Sequence, residues 1–292
     1  MYELIITNVE NGSFLTFNNM ASPFIITEIL GLDPPDATIN IDEYALLDGG
    51  VFNSSKANIR TMQIAFAIDY DAAASRQKIY NVLRPGRKVR IDYSDLKEMQ
   101  VYVEGYVGKP EITHFARKQV CTVQITCPDS YWLGAQEIID NFVQISNRFH
   151  FAFSSTEEPQ IVFGERTVNT LISITNDGNL EVGFIATVRF LAAAEYLNIT
   201  NLDTGKRISL SLTQAASIAR NDVITIDTRP NNKSVLLKQS GDTESTSIFW
   251  TINYEVTNWP MLIPGVNHIK VNTDSETDPE VSITHGLLYE GV

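Results

Sequence analysis

The alternation of hydrophobic and polar positions changes period between Asn58 and Tyr93, and that stretch sets out the plan of the chain. Met62, Ile64, Phe66 and Ile68 alternate with Thr61, Gln63, Ala65 and Ala67, so an extended segment there has one oily face and one smaller, more polar face. From Asp71 the spacing turns helical: Ala72, Ser75, Ile79, Val82 and Leu83 fall on one side, while Arg76, Lys78 and Asn81 point elsewhere. Asp69 or Asp71 can cap the start, where a carboxylate meets free backbone amides. Pro85 disfavours a helical backbone at Arg84 and Gly86 tolerates a reversal, so the helix stops there. The chain leaves as a strand through Val89, Ile91 and Tyr93. Strand, helix and strand in a strand-rich chain predict a helix covering one side of a β-sheet, not a βαβ nucleotide fold.

Before this module, Leu4 to Ile6, Phe14 to Phe17 and Phe24 to Ile29 read as short strands broken by Asn11-Gly12 and Asn18-Asn19 turns. The following stretch, LDPPDATINIDEYALLDGGVFNSSKAN, carries Pro34-Pro35 and Gly49-Gly50 and predicts irregular surface chain or a long hairpin arm. Loops of this length in compact domains are usually functional or disordered. After the helix, Gln100 to Val107 and Gln119 to Cys127 are alternating strands separated by a break at Gly108, Lys109 and Pro110. CPDSYW then closes a strand with paired aromatics, either as a domain edge or as a plain core anchor. Gly134 to Thr170, with FHFAF at Phe149 to Phe153 and IVFG at Ile161 to Gly164, reads as a linker plus the hairpin that opens a second domain.

From Leu171 the chain becomes short strands at regular spacing: LISIT, GFIATVRF, YLNIT, KRISLSL, DVITID, SVLLK, SIFWTINYEV, NHIKV and VSITHGLLY. Asn176-Asp177-Gly178, Asp203-Thr204-Gly205, Pro230-Asn231-Asn232 and Gly241-Asp242 supply the turns between them. Many short strands with frequent turns indicate a β-sandwich or jelly roll. The fold class expected is mainly β with one helix in the first domain, divided as residues 1–139 and 140–292.

A chain of 292 residues with 43% hydrophobic content can bury a substantial core. Its net charge of -13 argues against a surface built to neutralise phosphates, so specific nucleic-acid binding is not expected. No apolar run approaches the roughly 20 residues that span a bilayer, and MYELIITNVENGSF alternates like a strand rather than resembling a signal peptide. A soluble product made in the cytoplasm is the expectation. Cys121 and Cys127 share one face of a strand about 20 Å apart, beyond the roughly 7 Å limit for a disulfide. They should be buried free thiols.

Chemical motifs are mostly missing. His114, His150, His268 and His285 are far apart in sequence and lack the close pair that many zinc sites use. Asp203-Thr204-Gly205 matches the aspartic-protease triplet, but such an enzyme needs two facing copies, and a hairpin turn explains one copy better. The acidic residues Asp33, Asp36, Asp42 and Glu43 fit no EF-hand spacing, and Asp274, Glu276, Asp278 and Glu280 read as a solvated hairpin tip. There is no GxSxG, HExxH, P-loop or GxGxxG. No catalytic residue, cofactor or metal site is expected, and an enzyme is the weakest reading.

The order of motifs nevertheless resembles a family, the distal tail proteins of long-tailed bacteriophages, especially those of Gram-positive hosts. Its carriers are LLDGGVF followed by NIRTMQIAF, the helix ending in YNVLRPGRKV, CPDSYW, FHFAF with IVFG, ITNDGNLEVG, WPMLIPGVNHIKV and the terminal GLLYEGV. Two departures stand out: Ala152 replaces an expected proline in FHFAF, and Ser130 is inserted in CPDSYW. The resemblance implies a homohexameric ring at the tail tip, with N-terminal β-sandwich-like domains closing the ring and C-terminal galectin-like β-sandwiches projecting outward. It implies as partners the major tail tube protein, the tail-associated hub or tail fibre protein and, in some phages, a receptor-binding protein, with no membrane. DNA would pass through the lumen without specific binding, which an acidic lining suits. On this view the Asp42 to Ala57 loop contacts a neighbouring subunit, with Asp42, Tyr44, Leu47, Val51 and Phe52 as candidate interface residues. The rival reading is a carbohydrate-binding module contacting host wall polysaccharide through Trp250, Trp259 or Tyr254. Even spacing puts Trp250 and Tyr254 on the same side as Ile248 and Ile252, which predicts a core role for them.

Overall fold

The computed structural model describes residues 2–17, 22–44, 48–95, 99–147, 164–168, 170–213 and 218–292, with backbone alone at 143–147 and 164–168. FHFAF and all of IVFG but Gly164 lie outside the described residues, as does Leu47. The elements in order are β1 (Tyr2–Asn8), β2 (Phe14–Phe17), β3 (Phe24–Leu30), β4 (Ala37–Glu43), β5 (Gly50–Ala57), β6 (Arg60–Ile68), α1 (Ala72–Val82), β7 (Lys88–Asp95), β8 (Gln100–Val107), β9 (Glu111–Ile112), β10 (Gln119–Cys127) and β11 (Trp132–Gly134). They continue as β12 (Ile138–Asn141), β13 (Val143–Asn147), β14 (Gly164–Val168), β15 (Leu171–Asn176), β16 (Phe184–Arg189), β17 (Tyr196–Asn201), β18 (Arg207–Ser211), β19 (Val223–Asp227), β20 (Ser234–Lys238), β21 (Thr246–Ser247), β22 (Gly265–Thr273), β23 (Glu280–His285) and β24 (Leu288–Tyr289). The chain forms two compact units: Met1–Ala135 with Leu288–Val292, and Gln136–Leu287. The last five residues thus belong to the first unit, although the sequence groups them with the second domain.

In the first unit the strands other than β4 and β5 form one antiparallel sheet ordered β2-β1-β7-β8-β10-β6-β3, with β9, β11 and β24 joined beside this path. Its ends curl toward each other: Ser22 Oγ donates to the Thr16 carbonyl, and the Phe17 and Phe24 rings sit 6.0 Å apart with Phe66 edge-on to both. Curling keeps β2 and β3 from standing as bare edges. Met62, Ile64, Phe66 and Ile68 are buried in the core with Leu4, Ile6, Val89, Ile91, Val101, Val103, Val123 and Ile125, each set sharing one face by period-two alternation. The helix adds its apolar stripe, with Ser75, Ile79 and Val82 buried. Asp71 is its cap, accepting from the Ala74 amide at 3.4 Å, and Asn8 Nδ2 donates to the Val82 carbonyl at 3.0 Å to hold the far end. Gly86 follows at φ 76°, as the reversal demands. Cys121 and Cys127 are buried free thiols, and burial pushes both up to about 12.

The second unit contains a six-stranded sheet, β12-β23-β16-β19-β20-β21, and a four-stranded sheet, β15-β22-β17-β18. Each sheet buries alternate residues: Phe184, Ala186, Val188, Ile224, Ile226, Val235, Val281 and Ile283 in one, Ile174, Leu197, Ile199, Ile208, Leu210, Ile269 and Val271 in the other. Two sheets with one buried face each are the arrangement of a β-sandwich. Asn267 is buried where an apolar residue would sit; its amide donates to the Ile263 and Gly265 carbonyls while its oxygen accepts from the Ile263 amide and Asn201 Nδ2. Asn201 donates in turn to the Met261 carbonyl. These two amides hold the WPMLIPG loop against the sheet by satisfying its backbone, as buried polar groups must be.

Two readings of the sequence need correction here. VSITHGLLY is not one strand: β23 belongs to the second unit and β24 to the first. TDSETDPE is not a hairpin tip, because it joins β22 of one sheet to β23 of the other. Asp274 within it anchors the crossing by accepting from the Glu195 and Tyr196 amides at 2.9 and 3.3 Å, and those bonds hold its carboxyl below the usual range.

Candidate interaction surface

The segment between β3 and β6 forms a two-stranded arm, β4 against β5, in which all but the last residue are exposed. Its root is tightly built. Gly31 (φ 96°) turns the chain across β6 where a Cβ would collide with the Thr61 carbonyl, so only glycine fits. The Asn58 amide donates to the Asp36 carbonyl at 2.8 Å, and Thr38 Oγ1 donates to Asn58 Oδ1 at 2.7 Å.

Beneath the root lies Arg60, buried at 2% exposure although arginine is seldom fully buried. Its guanidinium donates to four backbone carbonyls: Gly31 and Asp33 at the arm's base, Ser130 in CPDSYW, and Glu290 in the terminal GLLYEGV. Desolvation lowers its pKa below the ordinary arginine value, against the opposing pull of Cys127 and Asp33. The ring of Trp132 lies 5.4 Å from the guanidinium carbon. β24 pairs with β11, Trp132 opposite Tyr289, and the Val292 amide donates to the Leu32 carbonyl at 3.1 Å. Three separate sequence motifs therefore meet on one side chain.

The arm's register decides which residues face together. Ala37, Ile39, Ile41 and Glu43 oppose Ala57, Ser55, Phe52 and Gly50, whereas Thr38, Asn40 and Asp42 oppose Lys56, Ser54 and Val51. Asn53 has no partner; this bulge flips the parity of β5 and sets Phe52 beside Ile39 and Ile41. One face is consequently apolar apart from Glu43 and Ser55, and the other is polar apart from Val51, with Asn40 Nδ2 donating to Ser54 Oγ at 2.9 Å. Both faces meet solvent. Of the residues singled out in the sequence, Asp42 and Val51 are direct cross-strand partners, Phe52 lies on the opposite face, and Tyr44 follows β4, exposed. Leu47 is outside the described residues. Ile39 and Ile41 were missed because alternation alone does not say that neither face of a hairpin is covered.

The core role expected for Trp250 and Tyr254 is wrong: they are 56% and 66% exposed. SIFWTINYEV is not a strand. Ile248 continues the edge strand β21 by donating its amide to the Val235 carbonyl on β20, a 3-10 turn follows over Phe249–Thr251, and the Asn253 and Asn258 amides then donate to the carbonyls of Ser209 and Arg207 on β18, the edge of the four-stranded sheet. The segment crosses from one sheet edge to the other, so Ile248 and Ile252 go inward and Trp250 and Tyr254 do not. Trp259 stacks on Phe249 at 5.9 Å, with Lys233 Nζ 5.1 Å from its ring.

Asp203 sits in the β17–β18 turn, as expected, with Gly205 at φ 68°. The backbone amide and ring of His268 hold its carboxyl below the usual range, Nδ1 lying 3.1 Å from each oxygen. His285 is buried with Nε2 3.4 Å from Asp140, His114 is exposed, and His150 lies outside the described residues. Among the described residues no group of three or more His, Cys, Asp or Glu is placed to hold a metal ion, and no helix is long and apolar enough to cross a membrane.

The family described as siphovirus-type tail component, C-terminal domain, matches residues 177–286. No curated protein matches the chain. Among solved structures, SPP1 Dit, described as a paradigm of hub adsorption apparatus in Gram-positive infecting phages, aligns over 98% of this chain and 98% of its own at 14% identity and a TM-score of 0.67. Chains of the phage P2 baseplate in its activated conformation, with Ca and with Sr, align over 97% of this chain and 98% of theirs, at 12% and 11% identity and TM-scores of 0.45 and 0.44. Residues 177–286 of the second unit thus match the siphovirus-type tail component family, and nearly the whole chain has the fold of SPP1 Dit.

Proposed function

We propose that this protein is a structural component of a long-tailed phage tail tip, six copies of which close into a ring joining the tail tube to the hub or fibre proteins, some of which bind the host receptor. Residues 1–139 would build the ring and 140–292 would project from it as galectin-like sandwiches. The protein would be made in the host cytoplasm and reside in the virion. The observation that carries the reading is the arm: a two-stranded hairpin with Ile39, Ile41 and Phe52 on one open face. An isolated two-stranded hairpin is marginal in water, and an apolar face on one calls for a partner. A neighbouring copy supplies that partner in every position of a closed ring. The net charge of -13 suits a conduit through which DNA slides without sticking. Its work lies in surfaces rather than in bond-making. Native mass spectrometry with negative-stain microscopy of the full chain tests this: sixfold rings support it, and monomers at every accessible concentration refute it.

The exposure of Trp250 and Tyr254 favours a second reading, a carbohydrate platform on the second unit, since exposed aromatic faces stack on sugar rings. Calorimetric titration of the full chain with host wall polysaccharide decides it. Saturable binding that Trp250→Ala abolishes supports the platform, and silence removes it.

A further inference from the structure

The ring reading leaves open what the arm lies upon. A second exposed feature of the first unit has the complementary character. Thr113 to Lys118 form a tip leading into β10, and Phe115 at its apex is fully exposed, flanked by exposed His114, Arg117 and Lys118. The tip is held rather than loose: the Thr113 amide donates to the Val120 carbonyl at 3.0 Å, the Val120 amide to Thr113 Oγ1 at 2.9 Å, and Gln119 Nε2 to the His114 carbonyl at 3.0 Å. Arg76 fixes Gln119 from the helix, Nη1 to Oε1 at 2.8 Å. A phenyl ring held entirely in water beside two cations, on a chain of net charge -13, has no role in the isolated fold.

The arm is its counterpart in charge. It presents Asp42, Glu43 and Asp48 beside its apolar residues, all exposed. Neither these carboxylates nor Arg117 and Lys118 form an ion pair with another described residue.

β6 and β10 pair along their whole length, Arg60 opposite Cys127 and Ile68 opposite Gln119. The arm springs from the Arg60 end of this pair and the tip from the Gln119 end, so their roots stand about 27 Å apart along the strands. They emerge at opposite ends of one strand pair. A ring built from one heterologous contact needs two different, complementary patches on different sides of each subunit. Resting on the ring reading, we infer that the tip at Phe115, Arg117 and Lys118 is the seat of the arm of a second copy of this chain, Phe115 packing on the arm's apolar face and the two cations meeting Glu43 on that face and Asp42 at the arm's far end.

Charge swapping tests the contact on the full chain. Arg117→Glu with Lys118→Glu, or Asp42→Lys with Glu43→Lys, should each raise the concentration at which rings form by about tenfold or more, and combining the four should restore it to within about threefold, as paired charge reversals do. Raised salt should weaken the wild type and spare the apolar part. Separately, mixing Phe52→Cys chains with Phe115→Cys chains under oxidation should give a mixed disulfide-linked pair; the two native thiols are buried and leave a clean background. Rings that form normally with the reversed tip, and no mixed disulfide, overturn this contact while leaving the ring reading intact. A wild-type chain that never forms rings overturns the ring reading itself, and this contact with it.

Discussion

Replacing Arg60 by Met keeps an unbranched apolar stem but ends short of the guanidinium and removes every donor. The structure sets the magnitude. Four carbonyls, of Gly31, Asp33, Ser130 and Glu290, lose a charged donor, and they belong to three segments distant in sequence. Hydrogen bonds to charged groups contribute about 1.5–3 kcal/mol each. The sum overstates the loss, because the variant no longer desolvates a guanidinium and because the terminal segment can open to let water reach its carbonyls. A net destabilisation of about 3–5 kcal/mol is expected, the range for breaking a buried charged interaction. For a unit of this size that lowers Tm by about 10–15 °C. Differential scanning calorimetry should show the transition of Met1–Ala135 falling while that of Gln136–Leu287 stays in place, since Arg60 touches only the first. Hydrogen exchange adds a local readout: the Val292 amide, bonded to Leu32, should lose protection first. An Arg60→Met protein whose first transition moves by less than about 2 °C, with Val292 still protected, would refute the idea that this side chain ties the terminal segment to the arm's root.

The other expectations are simpler. Ile41→Asp and Phe52→Asp alter exposed positions, so light scattering should find ring assembly lost while the monomer's Tm changes by no more than a degree or two. Trp250→Ala should cost well under the ~3–5 kcal/mol of a buried aromatic truncation, and urea denaturation giving the larger figure would restore the core reading. Cys121 and Cys127, pushed up to about 12 by burial, should ignore a thiol reagent at neutral pH in the native protein and both react once it is unfolded. Asp274 has a folded pKa depressed by the Glu195 and Tyr196 amides, so its contribution is present above the unfolded value of about 3.9 and lost as pH falls through the lower folded value. Asp274→Asn should therefore be less stable than the wild type at neutral pH, the gap closing under acid; a gap that persists below that range would show another cause.

Local pattern was enough for most of the elements. The period-two face of Met62 to Ile68 and the 3.6-period stripe from Ala72 to Val82 needed no tertiary information, because burial on one side imprints its period on the residues themselves. The same logic failed at SIFWTINYEV. Its even spacing imitates a strand, but the segment bridges two sheet edges through a 3-10 turn, where inward and outward positions no longer alternate as a strand's do. The acidic loop 273–280 misled for a related reason: turn residues mark a change of direction and not which sheet the chain enters next.

The sequence by itself determined the fold class, the helix and two candidate caps, the free thiols and the order of motifs that resembles the distal tail proteins, since each depends on spacing along the chain. Only the tertiary structure decided what joins segments far apart. It gathered Gly31, Asp33, Ser130 and Glu290 on one buried guanidinium, returned Leu288–Val292 to the first unit, and placed Phe52 beside Ile41 through a bulge at Asn53. A buried charge must find its acceptors wherever the chain brings them, and a bulge depends on the partner strand as much as on its own residues; neither leaves a periodic trace in the chain that carries it.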